Sequence, residues 1–314
     1  MSRVGVFLRG TQFWQTAFWR LRLARSGANR RIAHMMIDKR PFFFLHIPKT
    51  AGSTMQWLLA QHFVVDEIAA AGNLTTLLGF NREQLSNKKL FQGHFFGVLD
   101  QIIFNSFRFT ILRDPVERAL SHYGHVMRDE QHYLHRRALE LGSFEAYLDD
   151  PVMRMTIINF QARMLALDCD VEAIYRGLSD QERTEWHLER YIETTLFEPD
   201  ESALLTKAQE RLASIDVVGI TERFEETLAL LCYKRGWPFP DEIQARNVND
   251  ARPRRTALAS STLNRLADLN AIDIALYELA RQKLSADFHR MISCLVTAHA
   301  VRTPLKRLID LVNG

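Results

Sequence analysis

From Pro41 onward, short unbroken apolar runs alternate with segments of helical periodicity, and this alternation restricts the possible architectures more than any other feature of the chain. PFFFLHI at 41–47, KKLFQGHF at 88–95, SFRFTILR at 106–113 and IDVVGI at 215–220 read as strands. GSTMQWLLAQHF at 52–63, PVERALSHYGHV at 115–126 and RFEETLALLCYKRG at 223–236 read as the helices that follow strands, the last stopping at Gly236. Strands that are apolar throughout must be covered on both faces. The expected fold is therefore α/β, with a central, mainly parallel sheet between helices.

Residues 129–210 are mostly helical in pattern and charged, which suggests a helical insertion on that sheet. A polar, proline-containing loop near 240–256 precedes helices expected over about 260–314. The chain thus divides into a basic arm, 1–40, and an α/β domain, 41–314, with no internal repeat. At 314 residues, 47% hydrophobic and 25% charged, it has ample material for a globular core. Apolar runs such as those at 42–45 and 228–232 fall far short of the roughly 18 residues needed to cross a bilayer.

The arm carries nine Arg and Lys against Asp38, a net +8, which leaves −5 for the rest of a chain whose total is +3. A mildly acidic body has no general attraction for nucleic acid, so an anionic ligand there needs a local site. Within the arm, Val6, Phe7, Phe13, Trp14, Ala17, Phe18 and Leu21 share one side of a helical wheel. Contact with an anionic membrane surface and packing onto the body both suit that pattern, and an Arg-rich, acid-poor start also suits an organellar transit peptide. Cys169, Cys232 and Cys294 are odd in number and widely spaced, which favours a reducing compartment, the cytoplasm, over a disulfide framework or a thiolate zinc site. Cys232 reads as a small buried hydrophobe.

Two strand ends carry chemistry. The first runs through Pro48-Lys49-Thr50-Ala51-Gly52-Ser53-Thr54 into a helix, combining inward backbone N–H groups, a helix N-terminus and an ammonium, which together can cradle an anion. It is not a Walker A loop, because Lys49 precedes Gly52 rather than following the second glycine. The plainer alternative is a strand-to-helix turn with an exposed lysine. The second is Arg113-Asp114-Pro115-Val116-Glu117, in which Asp114 suits an N-cap, Pro115 the first helical position and Glu117 a capping box, leaving Arg113 at the strand tip. Ser121 follows about two turns into that helix, within the span of one phosphate from the Arg113 guanidinium. Taken alone, Arg113 could equally pair with Asp114 or Glu117, and Ser121 could be an ordinary packing residue.

Together, HIPKTAGST and, about 60 residues on, RDPVERALSHY resemble the phosphosulfate and 3′-phosphate loops of sulfotransferases that use 3′-phosphoadenosine 5′-phosphosulfate (PAPS). The resemblance spans roughly Phe43 to Leu284 and is to the family that includes heparan sulfate 2-O-sulfotransferases and many bacterial carbohydrate sulfotransferases. It implies a P-loop-like three-layer α/β/α fold. Lys49, Thr50, Ala51, Gly52, Ser53 and Thr54 would hold the 5′-phosphosulfate, and Arg113 and Ser121 the 3′-phosphate. The acceptor would be a hydroxyl, by the same resemblance of a carbohydrate, and the product adenosine 3′,5′-bisphosphate (PAP). In the 2-O-sulfotransferases the segment matching Phe91-Gln92-Gly93-His94 reads His-Gly-His, and its second histidine, the presumed base, falls on His94. The first is Gln92 here, so a second catalytic imidazole is absent and uronyl 2-O specificity is not implied.

Chemistry independently suits His94, because deprotonating an alcohol near neutrality calls for an imidazole at a strand's carboxyl end. His46 reads as a core residue hydrogen-bonded to backbone, His122 and His125 as a solvated helix face, and His132 and His135 as members of a charged helical stretch. No HExxH or comparable spacing occurs, so no metal is implied. Asn159-Phe160-Gln161-Ala162-Arg163 and Val218-Gly219-Ile220-Thr221-Glu222-Arg223-Phe224 also resemble family stretches and receive no role. Asn247, Val248, Asn249, Arg252, Arg254 and Arg255 could close over a nucleotide, meet an anionic acceptor or form an exposed basic loop. Two other functional classes compete: a nucleotide kinase or hydrolase with an atypical phosphate loop, and a non-catalytic nucleotide-binding protein associated with a membrane.

Overall fold

The computed structural model describes residues 38–95, 105–167, 176–177, 179, 201–244 and 253–312. All but the last three residues of the arm, Cys169, much of 168–200 and Asn247 to Arg252 lie outside them. The elements run β1 (Phe42–Leu45), α1 (Gly52–Ala60), α2 (Leu74–Leu78), α3 (Arg82–Ser86), β2 (Leu90–Gly93), β3 (Phe107–Leu112) and α4 (Pro115–Val126). They continue with α5 (His135–Leu141), α6 (Phe144–Asp149), α7 (Pro151–Met155), α8 (Phe160–Ala166), α9 (Glu201–Ala213), β4 (Val217–Ile220), α10 (Phe224–Arg235), α11 (Ser260–Asp268) and α12 (Ala271–Val312).

The four strands pair in parallel in the order β2-β1-β3-β4. Helices cover the sheet in a three-layer α/β/α arrangement, as the unbroken apolar strands require. Phe42, Phe44 and Phe109 are fully buried, and their rings pack across β1 and β3, with Phe42 5.3 Å from Phe107 and Phe44 5.0 Å from Phe109. Each such ring taken from water contributes about 1.5–3 kcal/mol. A second core joins α4 to α5, α6, α7 and α11 through Leu120, Tyr123, Leu134, Tyr147, Leu148 and Leu266.

Because the strands are parallel, their carboxyl ends share one edge. The chain leaves β1 for β2 on one side and returns to β3 on the other, so the strand order reverses between β1 and β3, where open α/β sheets form their ligand crevice. Register places Leu45 beside Gly93 and Thr110, and Leu112 beside Ile220. The residues just after these positions, His46 to Lys49, His94, Arg113 and Thr221, are therefore neighbours at that edge.

The contacts group Arg40–Thr227 with Gln244–Leu284 in one compact unit, which contains the whole sheet. The other includes Leu228–Ile243 and the chain from Ser285. In that unit Cys232 is buried, as its apolar surroundings suggested, and burial pushes its thiol up to about 12.

Candidate active site

The β1 tip turns sharply. Lys49 and Ala51 both adopt left-handed backbone (φ 74° and 66°), and the Thr50 hydroxyl donates to the Ile47 carbonyl at 2.8 Å. Ala51 occupies the N-cap of α1 and has no side chain that could cap it. Gly52 is required by close approach: a Cβ there would lie 1.6 Å from Nε2 of His46. The loop read from the sequence is thus a compact turn that leads from the β1 tip directly into α1.

Arg118, buried on α4, supports this turn from below. Its Nε donates to the Pro48 carbonyl at 3.2 Å and its Nη1 to the Thr156 carbonyl at 2.9 Å, while the guanidinium lies 3.8 Å from the Phe160 ring centre. Burial, followed by the positive charges of Arg128, Arg118 and Arg113, pulls the Lys49 ammonium down to about 8, with Asp129 opposing. Concentrated positive charge of this kind favours an anion.

The β3 tip has the N-cap and first-turn proline that its sequence suggested. Asp114 caps α4 by accepting from the Glu117 amide at 3.0 Å, with Pro115 in the first turn. Arg113 turns to the β1 side and donates through Nη1 to the Lys49 carbonyl at 3.1 Å. Glu117 and Glu222 lie 3.9 Å from other guanidinium nitrogens of Arg113, at the limit of ion pairing. Ser121 is half-buried on the same helix.

At the β2 tip, the Nδ1 of His94 lies 2.8 Å from the His46 carbonyl. A carbonyl only accepts, so Nδ1 carries the hydrogen and Nε2 the lone pair. Burial lowers the His94 pKa, Lys49 lowers it further, and the bond to the His46 carbonyl opposes them, so the ring is neutral near pH 7. The backbone is pinned by donation from the His94 amide to the Gly72 carbonyl at 3.0 Å.

Two histidine readings change. His46 does not hydrogen-bond backbone through Nδ1, which is buried with no partner; the ring instead stacks on Phe44 and His94, 5.5 and 4.4 Å away. His122 is not on a solvated face. It is 5% exposed, both its ring nitrogens lack partners, and burial drives its pKa well below the usual value. Hydrophobic periodicity could not reveal this, because the groups around His122 include Lys49 of the β1 turn and His132, which lies beyond the end of α4. His132 lies 5.9 Å from His122 and 5.4 Å from His125, and Lys49 lowers the pKa of all three, with burial the larger cause; His125 falls to about 4.

Sequence reasoning also left Arg118, Gln161 and Glu222 without roles. Glu222, at the β4 tip, accepts from the Asp114 amide at 3.2 Å and from the Tyr277 hydroxyl at 2.9 Å. Arg255 reaches Asp114 at 3.5 Å. The only available signal was the two family-like stretches containing Gln161 and Glu222.

A family model described as the sulfotransferase family matches residues 33–290. The chain belongs to the sulfotransferase family. No individually curated protein matches this sulfotransferase. Among its described residues, no group of three or more His, Cys, Asp or Glu is arranged to hold a metal ion, and no helix is long and apolar enough to cross a membrane.

Proposed function

We propose that this sulfotransferase moves the sulfuryl group from PAPS to a hydroxyl, with a carbohydrate as acceptor. The observation that carries the reading is the 3.1 Å contact between Arg113 and the Lys49 carbonyl, which joins two anion-binding strand tips at the switch-point crevice. A nucleotide bearing phosphates at both ends needs two such grips. The residues present fit it: Lys49 and the turn through Thr50, Ala51, Gly52, Ser53 and Thr54 suit the 5′-phosphosulfate, and Arg113 with Ser121 suits the 3′-phosphate.

The acceptor oxygen attacks sulfur in line with the bridging oxygen. Its proton passes to Nε2 of His94, the S–O bond to PAP breaks, and the Lys49 ammonium stabilises the charge left on the departing oxygen. No covalent intermediate on the protein is needed, so positioning and electrostatics supply the rate.

Thermal shift with PAP, AMP and ADP tests the donor, since stabilisation follows affinity. PAP should stabilise most, and equal shifts would overturn the reading. Transfer from PAPS to an oligosaccharide mixture should persist with EDTA present, whereas a magnesium-dependent kinase would fall silent.

A further inference from the structure

The peptide groups on either side of Arg113 lie just past the end of β3, and a single side chain holds both. The Arg113 amide donates to Oε1 of Gln161 at 2.9 Å, and Nε2 of Gln161 donates to the Arg113 carbonyl at 2.9 Å. Gln161 is fully buried in the first turn of α8. Its own amide donates to Oδ2 of Asp273 at 3.0 Å, and the Ala162 amide to Oδ1 at 2.7 Å.

Asp273 lies in the first turn of α12, and the helix starts hold each other. The amides of Ile272 and Asp273 donate to Oδ1 of Asn159 at 3.1 and 3.2 Å, and the Asn159 amide donates to Oδ1 of Asn270 at 3.0 Å. Asn159 is left-handed, with φ 40°, a conformation that persists only when its surroundings fix it. The start of α8 is thus locked to α12, and Gln161 carries that lock to the β3 tip.

A strand tip that opens onto a crevice could satisfy its peptide groups with water. Fixing both peptide planes with one buried amide does something water cannot: it sets the direction of the Arg113 Cα–Cβ bond, and so where the guanidinium fork sits. We infer that Gln161 is a positioning residue for Arg113 and sets the selectivity for a 3′-phosphorylated nucleotide. The inference rests on the proposed reading of Arg113 as the 3′-phosphate ligand.

Titration calorimetry of PAP and AMP on the full chain tests it, AMP being the same nucleotide without the 3′-phosphate. Wild type should prefer PAP. Gln161→Met keeps the volume and loses both bonds, and should cut the PAP-to-AMP affinity ratio about tenfold or more while AMP affinity stays, the scale seen when a ligand-orienting group is removed. Arg113→Ala should cut the ratio at least as far, and adding Gln161→Met to it should cause no further loss, since Gln161 acts through Arg113. Should Gln161→Met not fold, Gln161→Glu carries the test: relative to wild type its ratio should be low at pH 8 and recover as the introduced carboxyl protonates and can donate to the Arg113 carbonyl. Equal affinities in wild type overturn the nucleotide reading and this inference with it. A wild-type preference retained by the Gln161 variants, or lost in parallel with AMP binding, overturns this inference alone.

Discussion

Arg113 donates through Nη1 to the backbone carbonyl of Lys49 at 3.1 Å, tying the tip of β3 to the tip of β1. The contact spans the place where the strand order reverses, so the cation of one tip meets the turn of the other at the sheet's carboxyl edge. His94 enters the same edge from β2, oriented by the His46 carbonyl.

His94→Ala should lower turnover by about 10²-fold or more, the range for a positioned proton acceptor, with little change in PAP affinity. Lys49→Ala should cost a similar factor, the loss expected on removing a group that stabilises transition-state charge, but should also weaken PAP. Steady-state kinetics alongside calorimetry would separate them.

The pH profile of kcat/KM should be broad on the acid side. Burial lowers the His94 pKa, so the neutral base persists below the 6.5 of free imidazole, and activity is lost only as pH falls through the depressed value. On the alkaline side, rate should decline near pH 8 as the Lys49 ammonium loses its proton. Lys49→Arg should remove that alkaline limb whatever its residual rate, because arginine stays charged; a limb that remains at the same pH would assign it to another group.

Stability should fall as the solution is acidified below about pH 6.5. His46, His94, His122 and His125 all have lowered folded-state pKa values, with burial the leading cause, so in this window the unfolded chain binds protons that the folded chain does not. Each contributes up to about 1.4 kcal/mol per pH unit until its folded pKa is reached. Urea denaturation at pH 5 and 7 should show the slope, and His122→Leu should reduce it by the equivalent of up to one proton.

Gly52→Ala should destabilise the fold by about 1–3 kcal/mol, the range for overpacking, because the added methyl meets the His46 ring. Trimming that ring in the double variant Gly52→Ala, His46→Ala should recover part of the loss beyond what His46→Ala alone predicts. Strictly additive denaturation energies would rule out the steric explanation.

Much of the fold that carries the candidate site was legible beforehand. The apolar runs located all four strands of the sheet within a few residues, since continuous hydrophobicity follows directly from burial on both faces. Asp114-Pro115 marked the start of α4 because capping is a local hydrogen-bonding requirement, met within three residues. The contacts of Gln161 and Arg118 were not legible, because their partners lie up to 112 residues away and no local pattern encodes them.

What the amino-acid order determined by itself was where the strands and the two loops lie and which cations and imidazole stand at the strand tips, all read from local patterns. Only the tertiary structure decided which groups face each other: strand order set Arg113 against Lys49, the chain beyond α4 set His132 beside the buried His122, and the crossed caps of α8 and α12 brought Gln161 to Arg113. Such pairings depend on elements far apart in the chain meeting at close range, and they become physical facts only when the layers close around the sheet.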